Sequence, residues 1–309
     1  MPEAIDQRSH LAEVAALAGL ELDLDRVVLP HDRYFDANGL RLHFLEWGEA
    51  TARPIILLHG GALTAHTWDV VCLGLLPEFR CIAPDLRGHG DSEWAADGDY
   101  STDAYRRDLE ALLAHLAIAR CVLVGNSLGG MTAIRYTAQR SSAQQPQALV
   151  LVDIGPEMRE AGRQRLRSFT DGPRELDSVE EFVDRAVAFN PLRRRDVLRR
   201  SLLNNLRQLP SGKWTWKYDP NRFGRGPAPT TAERWADVQR ITCPTLVVRG
   251  GHSDMFYAED AAKLAATLHD GRWVQIENAS HTVQGDQPLA LLTAIKNFLR
   301  PLPLGEGGG

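Results

Sequence analysis

The sequence predicts an α/β fold: a mostly parallel central sheet with helices on both faces. Three observations point to it. Four short runs (residues 54–58, 121–124, 148–152 and 245–248) are apolar at nearly every position, as strands buried on both faces are. Helical patterns separate them, such as Tyr105, Leu109, Leu112, Leu113 and Leu116 on one helix face. The 309 residues are 44 % hydrophobic and 24 % charged, a balance that supplies a sizeable core.

The elements follow in order. Leu11, Val14, Leu17 and Leu20 give a helix over 8–20, an accessory piece within a region spanning 1–32. Residues 34–36 and 40–47 read as strands joined at Asn38-Gly39, a hairpin signal. Strands at 54–58 and 81–84 precede the helix that carries Tyr105, with Ser101 or Thr102 as its N-cap. A strand at 121–124, a helix over 131–139 and a strand at 148–152 complete this half. The alternation then breaks, and 156–233 reads as an insertion on the sheet with helices over 179–189 and 192–206. Within it, residues 213–218 alternate as a strand, which puts Trp214, Trp216 and Tyr218 on one face. The core, 33–155 and 234–300, resumes with a strand at 245–248, a helix over 261–268, a strand at 273–276 and a helix bearing Leu291, Ile295 and Phe298. The Gly-rich tail, 301–309, is expected to be disordered.

Charge and motif content exclude several functions. With 35 basic and 40 acidic residues the net charge is −5, against a general nucleic-acid binder. No run approaches the roughly 18 apolar residues of a membrane span. The acidic start of the chain lacks a secretory pattern, and the four cysteines, none closely paired, suit buried thiols in a reducing cytoplasm. There is no phosphate-binding G-x-x-x-x-G-K-S/T loop and no H-E-x-x-H cluster, so neither a cofactor nor a metal is expected.

The chemistry centres on Gly125-Asn126-Ser127-Leu128-Gly129, placed between a strand and a helix. That context is what a nucleophile elbow requires. The tight turn lifts the Ser127 hydroxyl off the sheet edge and directs the Leu128 N–H toward a developing oxyanion. A serine needs a base, and His281 stands on a loop between the last strand and the last helix. The base needs a carboxylate. Asp254 and Asp153 both follow strands; the order Ser127, Asp254, His281 favours Asp254, and Asp153 is assigned to capping the start of the insertion.

With these residues the chain resembles the alpha/beta-hydrolase superfamily over roughly 33–300. His59-Gly60-Gly61 looks like the family's oxyanion loop, which implies Gly61 as the second N–H donor. Asp85 to Ser92 (DLRGHGDS) resembles a family turn in which His89 is structural, and the insertion matches the position of a cap, or lid. A serine nucleophile sets the chain apart from relatives that use Asp at the elbow, the haloalkane dehalogenases and epoxide hydrolases. The resemblance implies hydrolysis of a small apolar carboxylic ester or lactone through an acyl-enzyme. A carbon–carbon bond hydrolase of a diketone-like substrate is the alternative within the family, and a catalytically inactive ligand binder is the alternative outside enzymes. Trp214, Trp216 and Tyr218 either face the substrate or pack the cap. The arginines at 193–195, 199 and 200 read as a solvated helix face, with a carboxylate-binding role for one of them as the sharper reading.

Overall fold

The computed structural model describes residues 6–22, 27–221, 229–300 and 302. The predicted tail otherwise lies outside the described residues. The chain opens with helix α1 (Gln7–Leu17), whose N-terminal N–H of Arg8 is taken by the Asp6 side chain. A hairpin, β1 (His31–Ala37) and β2 (Leu40–Trp47), turns at Asn38-Gly39, both with positive φ, as its two-residue loop demands. Then come β3 (Arg53–Leu58), α2 (Asp69–Leu75), β4 (Phe79–Pro84), α3 (Thr102–His115), β5 (Val122–Asn126), α4 (Leu128–Ala138) and β6 (Ala148–Val152).

The next segment holds α5 (Glu160–Thr170), β7 (Glu175–Leu176), α6 (Val179–Phe189), α7 (Arg195–Asn205), β8 (Leu206–Gln208) and β9 (Trp214–Trp216). The chain ends with α8 (Thr231–Gln239), β10 (Thr245–Gly250), α9 (Ala258–Thr267), β11 (Gly271–Ile276), α10 (Val283–Asp286) and α11 (Pro288–Leu299).

The main sheet has eight strands in the order β1-β2-β4-β3-β5-β6-β10-β11. The β1–β2 and β2–β4 pairs are antiparallel and all others parallel. Its apolar runs divide by strand period. Ile56, Leu58, Leu123, Leu149 and Leu151 face a core shared with α3, α4, α8 and α9. Ile55, Leu57, Val122, Val124, Val150 and Val152 face a second core with α2 and α11. Burying each such side chain contributes about 1.5–3 kcal/mol, so both layers are needed to cover the sheet. The four cysteines are buried and unbridged. Among the described residues no helix is long and apolar enough to cross a membrane.

The segment between β6 and α8 builds a separate layer. Strands β7-β9-β8 form a small antiparallel sheet. Phe182, Val183, Leu198, Leu202, Trp216 and Tyr218 form its own core. Two expectations change here. The anticipated boundary at 233 falls inside α8, because Thr230 and Glu233 make a reciprocal capping box that starts the helix at Thr231. The expected strand 213–218 stops at Trp216, and beyond it the Asp219 N–H donates to the Gly88 carbonyl of the main body.

Candidate active site

The carboxyl ends of β3, β5 and β6 converge at the middle of the sheet, where open parallel sheets place their ligands. At the end of β5 the chain enters α4 in one residue, Ser127, held at φ 49° and ψ −115°. A non-glycine residue there stores on the order of 1–3 kcal/mol of strain, and that turn is what brings the serine up to the cavity. The flanking glycines are steric requirements. A Cβ on Gly125 would lie 2.5 Å from the Gly129 carbonyl oxygen, and one on Gly129 would lie 2.3 Å from the Leu58 oxygen. Leu128 is the first residue of α4, so its N–H has no intrahelical acceptor and stands at the positive end of the helix. Gly61 and Ser127 line the same cavity.

His281 lies on the loop after β11 and lines that cavity too. Its Nδ1 is 2.8 Å from Oδ2 of Asp153. A carboxylate only accepts, so Nδ1 is the donor, and in that tautomer Nε2 carries the lone pair. That nitrogen is buried without a protein partner. Asp153 directly follows β6 with φ 52° and is buried. It also accepts from the Gly250 N–H at 2.8 Å and the Ser253 hydroxyl at 2.6 Å. These donors fix the carboxylate in place beside the histidine.

The expected pairing of His281 with Asp254 is therefore corrected: the carboxylate bonded to the histidine is that of Asp153. The Asp254 side chain is 36 % exposed and ion-paired to Arg165 at 3.0 Å. The reason lies in the sheet order: β6 lies between β5 and β10, so a carboxylate just past β6 reaches the space between elbow and histidine. The last residue of β10 and the loop after it supply donors to that carboxylate. Asp153 correspondingly does not cap the insertion.

The remaining sequence-selected residues fall into place as supports. His59 is fully buried; its Nδ1 donates to the Gly60 carbonyl at 2.8 Å and its Nε2 accepts the Leu86 N–H at 3.0 Å. Burial pushes its pKa down, keeping it neutral. It ties the Gly60–Gly61 loop to the 85–92 turn. Within that turn Asp85 accepts from His43 at 2.8 Å, from the Ala65 N–H at 2.7 Å and from the Asp91 N–H at 2.9 Å. Burial alone would raise its carboxyl, but His43 and these donors hold it well below the usual carboxylate range. His89 is buried with Nδ1 on the Arg87 carbonyl. The one metal-like cluster found among the described residues, His43, Asp85 and Asp91, is made of this internal network.

The cavity, about 120 Å³, lies between the sheet ends and the inserted layer. Leu166, Phe169, Phe189, Leu198, Leu202 and Trp216 make its apolar wall. Of the three aromatics, only Trp216 reaches it. Trp216 also packs edge-on against Phe182 and stacks on Tyr218, with ring centroids 4.9 and 5.5 Å apart. Trp214 and Tyr218, expected either to face the substrate or to pack the cap, are not among the cavity's lining residues and pack within the inserted layer. His66 is a second histidine on the cavity. Burial would lower its pKa, but Asp69 at 3.1 Å raises it.

Sequence reading also missed a set of polar residues around His281. Asn126 donates from Nδ2 to the Val152 and His281 carbonyls. Asn190 and Arg193, both on the cavity, reach Asp286. Only the Arg193 run gave a signal, and it did not single out one arginine. Arg194, Arg195 and Arg199 do form a solvated face, paired with Asp196, Glu180 and Asp184.

Comparison with known proteins agrees with this architecture. A family model described as "Alpha/beta hydrolase family" matches residues 55–294. The esterase Rv0045c of Mycobacterium tuberculosis is 36 % identical over 303 residues, 96 % of each chain. Its crystal structure covers 97 % of this chain and 100 % of that one, with a TM-score of 0.79 at 35 % identity. A 3-hydroxybutyrate-oligomer hydrolase of Cupriavidus necator is 26 % identical over 84 % of this chain and 92 % of its own. The chain belongs to the alpha/beta hydrolase family and is an enzyme of that family.

Proposed function

We propose that the enzyme hydrolyses small carboxylic esters, lactones included, through an acyl-enzyme on Ser127. The observation that carries this is the Asp153–His281 pair at 2.8 Å on the cavity that the strained Ser127 lines. His281 Nε2 takes the Ser127 proton as the hydroxyl attacks the carbonyl. The N–H groups of Leu128 and Gly61 hold the oxyanion, and Asp153 stabilises the imidazolium. His281 then protonates the leaving alcohol and activates water to release the acid. No cofactor enters these steps. The esterase likeness at 36 % identity supports ester over carbon–carbon chemistry.

The inserted layer, in this reading, is a cap that shapes the acyl pocket. A cavity near 120 Å³ is close to what holds a benzene-sized group, about 150 Å³, so short to medium acyl chains fit best. Among the polar residues that the cap brings to the cavity, Asn190 offers an open acceptor. Asn190 Oδ1 is buried with no partner, and the amide cannot be flipped because Nδ2 must face the Asp286 carboxylate at 2.9 Å. An acyl group bearing a hydroxyl would supply the missing donor, and the hydroxybutyrate-oligomer relative is consistent with such substrates.

The test is a series of p-nitrophenyl esters from acetate to dodecanoate, with a lactone and a vinylogous diketone alongside. Ester turnover is expected, with kcat/KM highest at short to medium chains. Diketone cleavage with inert esters would favour the carbon–carbon alternative, and no turnover at all would favour a ligand binder. Trp216→Ala is expected to raise KM for hexanoate far more than for acetate, since one buried aromatic contributes on the order of 1–3 kcal/mol. An equal loss on both esters, together with a lower Tm, would make Trp216 a packing residue only.

A further inference from the structure

The backbone around His281 is held at three successive residues. The Ser280 N–H and hydroxyl both donate to Asp286 Oδ2, at 2.8 and 2.5 Å. The His281 carbonyl accepts from Asn126 Nδ2 at 3.0 Å. The Thr282 carbonyl accepts from Arg193 Nη2 at 3.2 Å. Asp286, whose side chain is 2 % exposed, also accepts from Arg193 Nε at 2.7 Å and Asn190 Nδ2 at 2.9 Å. Thus one buried carboxylate collects four hydrogen bonds, two from the histidine loop and two from the junction between α6 and α7.

The charge balance makes the arrangement conditional. The Arg193 side chain is only 10 % exposed, and its guanidinium is the cation paired with Asp286. The guanidinium fork reaches two acceptors at once, Nε on the carboxylate and Nη2 on the neighbouring carbonyl. With Arg193 withdrawn, Asp286 would be a buried charge without compensation, and it would turn outward or re-pair elsewhere. Either change loosens its grip on Ser280, the residue next to the base.

We propose that Arg193 and Asn190, acting through Asp286, are positioning residues for His281, so that the inserted layer governs the chemical step as well as substrate binding. This rests on the reading of His281 as general base. A misplacement of about 1 Å costs on the order of 100-fold in such chemistry, so a loosened loop should be visible in kcat.

The test uses the full chain, p-nitrophenyl acetate and a small fluorophosphonate. Arg193→Met is expected to lower kcat and the rate of phosphonate labelling together, by roughly 10–100-fold, with KM for acetate within about two-fold. Labelling needs the base but no acyl pocket, so a wall residue would not move it. Adding Asp286→Asn to that variant removes the uncompensated charge and is expected to recover part of the loss. Should Arg193→Met fail to fold, Arg193→Lys keeps the buried charge but not the fork; its kcat and labelling rate are expected to fall by about three-fold or more. Unchanged kcat and labelling in either folded variant, with or without a rise in KM, would overturn the proposal. Wild-type enzyme that fails to label at Ser127 would instead overturn the underlying reading of the site.

Discussion

Ser127→Ala is expected to abolish turnover, lowering kcat by roughly 10⁴–10⁶-fold while leaving the fold intact. The side chain makes no capping bond at the start of α4, so its hydroxyl is not holding the turn. The turn is held by its backbone: the Ser127 N–H donates to the Val152 carbonyl at 3.3 Å, and the Met131 N–H to the Ser127 carbonyl at 2.9 Å. Alanine keeps both bonds. Steady-state hydrolysis of p-nitrophenyl butanoate with circular dichroism of the same sample checks this. An alanine variant retaining more than a few per cent of activity in a native spectrum would exclude the covalent route.

Asp153→Asn should lower kcat by about 10⁴-fold, because an amide can lock the imidazole in the wrong tautomer and cannot stabilise the cation. Ser253 and the Gly250 N–H, both donors to Asp153, would in addition face an amide nitrogen in one of its orientations. Asp254→Asn removes only a half-exposed pair with Arg165, and surface pairs of this kind are worth about 0–1 kcal/mol; its effect on kcat should stay within about two-fold. The two variants measured side by side separate the two carboxylates, and the reverse ranking would return the acid to Asp254.

The contrast between these two aspartates explains what could be read from the sequence. The nucleophile turn is local: its glycines, serine and flanking strand lie within a few residues, so pattern and geometry coincide. The core strands were equally legible, because burial on both faces removes polar positions from 54–58, 121–124 and 148–152. Helix α6 matches its periodic pattern, Val179–Phe189, with Phe182, Val183 and Ala186 buried. The acid is different. Asp153 and Asp254 both fall between Ser127 and His281, so chain order cannot choose between them. The choice is made by β6 and β10 lying side by side, which is tertiary information.

Helix α5 escaped notice for a related reason. Its only buried residue is Gly162, so an Arg-rich stretch gave no apolar stripe to read. Tyr218 looked like the next in-facing residue of a strand that in fact ends at Trp216. Arg193 looked like its neighbours, although it alone of that run is bonded to a buried carboxylate.

The most direct measurement of the central claim is peptide mass analysis after fluorophosphonate treatment, with the labelling rate followed in wild type, Asp153→Asn and His281→Gln. The account predicts a single phosphonyl adduct on the peptide carrying Ser127, formed far more slowly in both variants. An adduct on another residue, or labelling of Ser127 at the wild-type rate without His281 or Asp153, would contradict it.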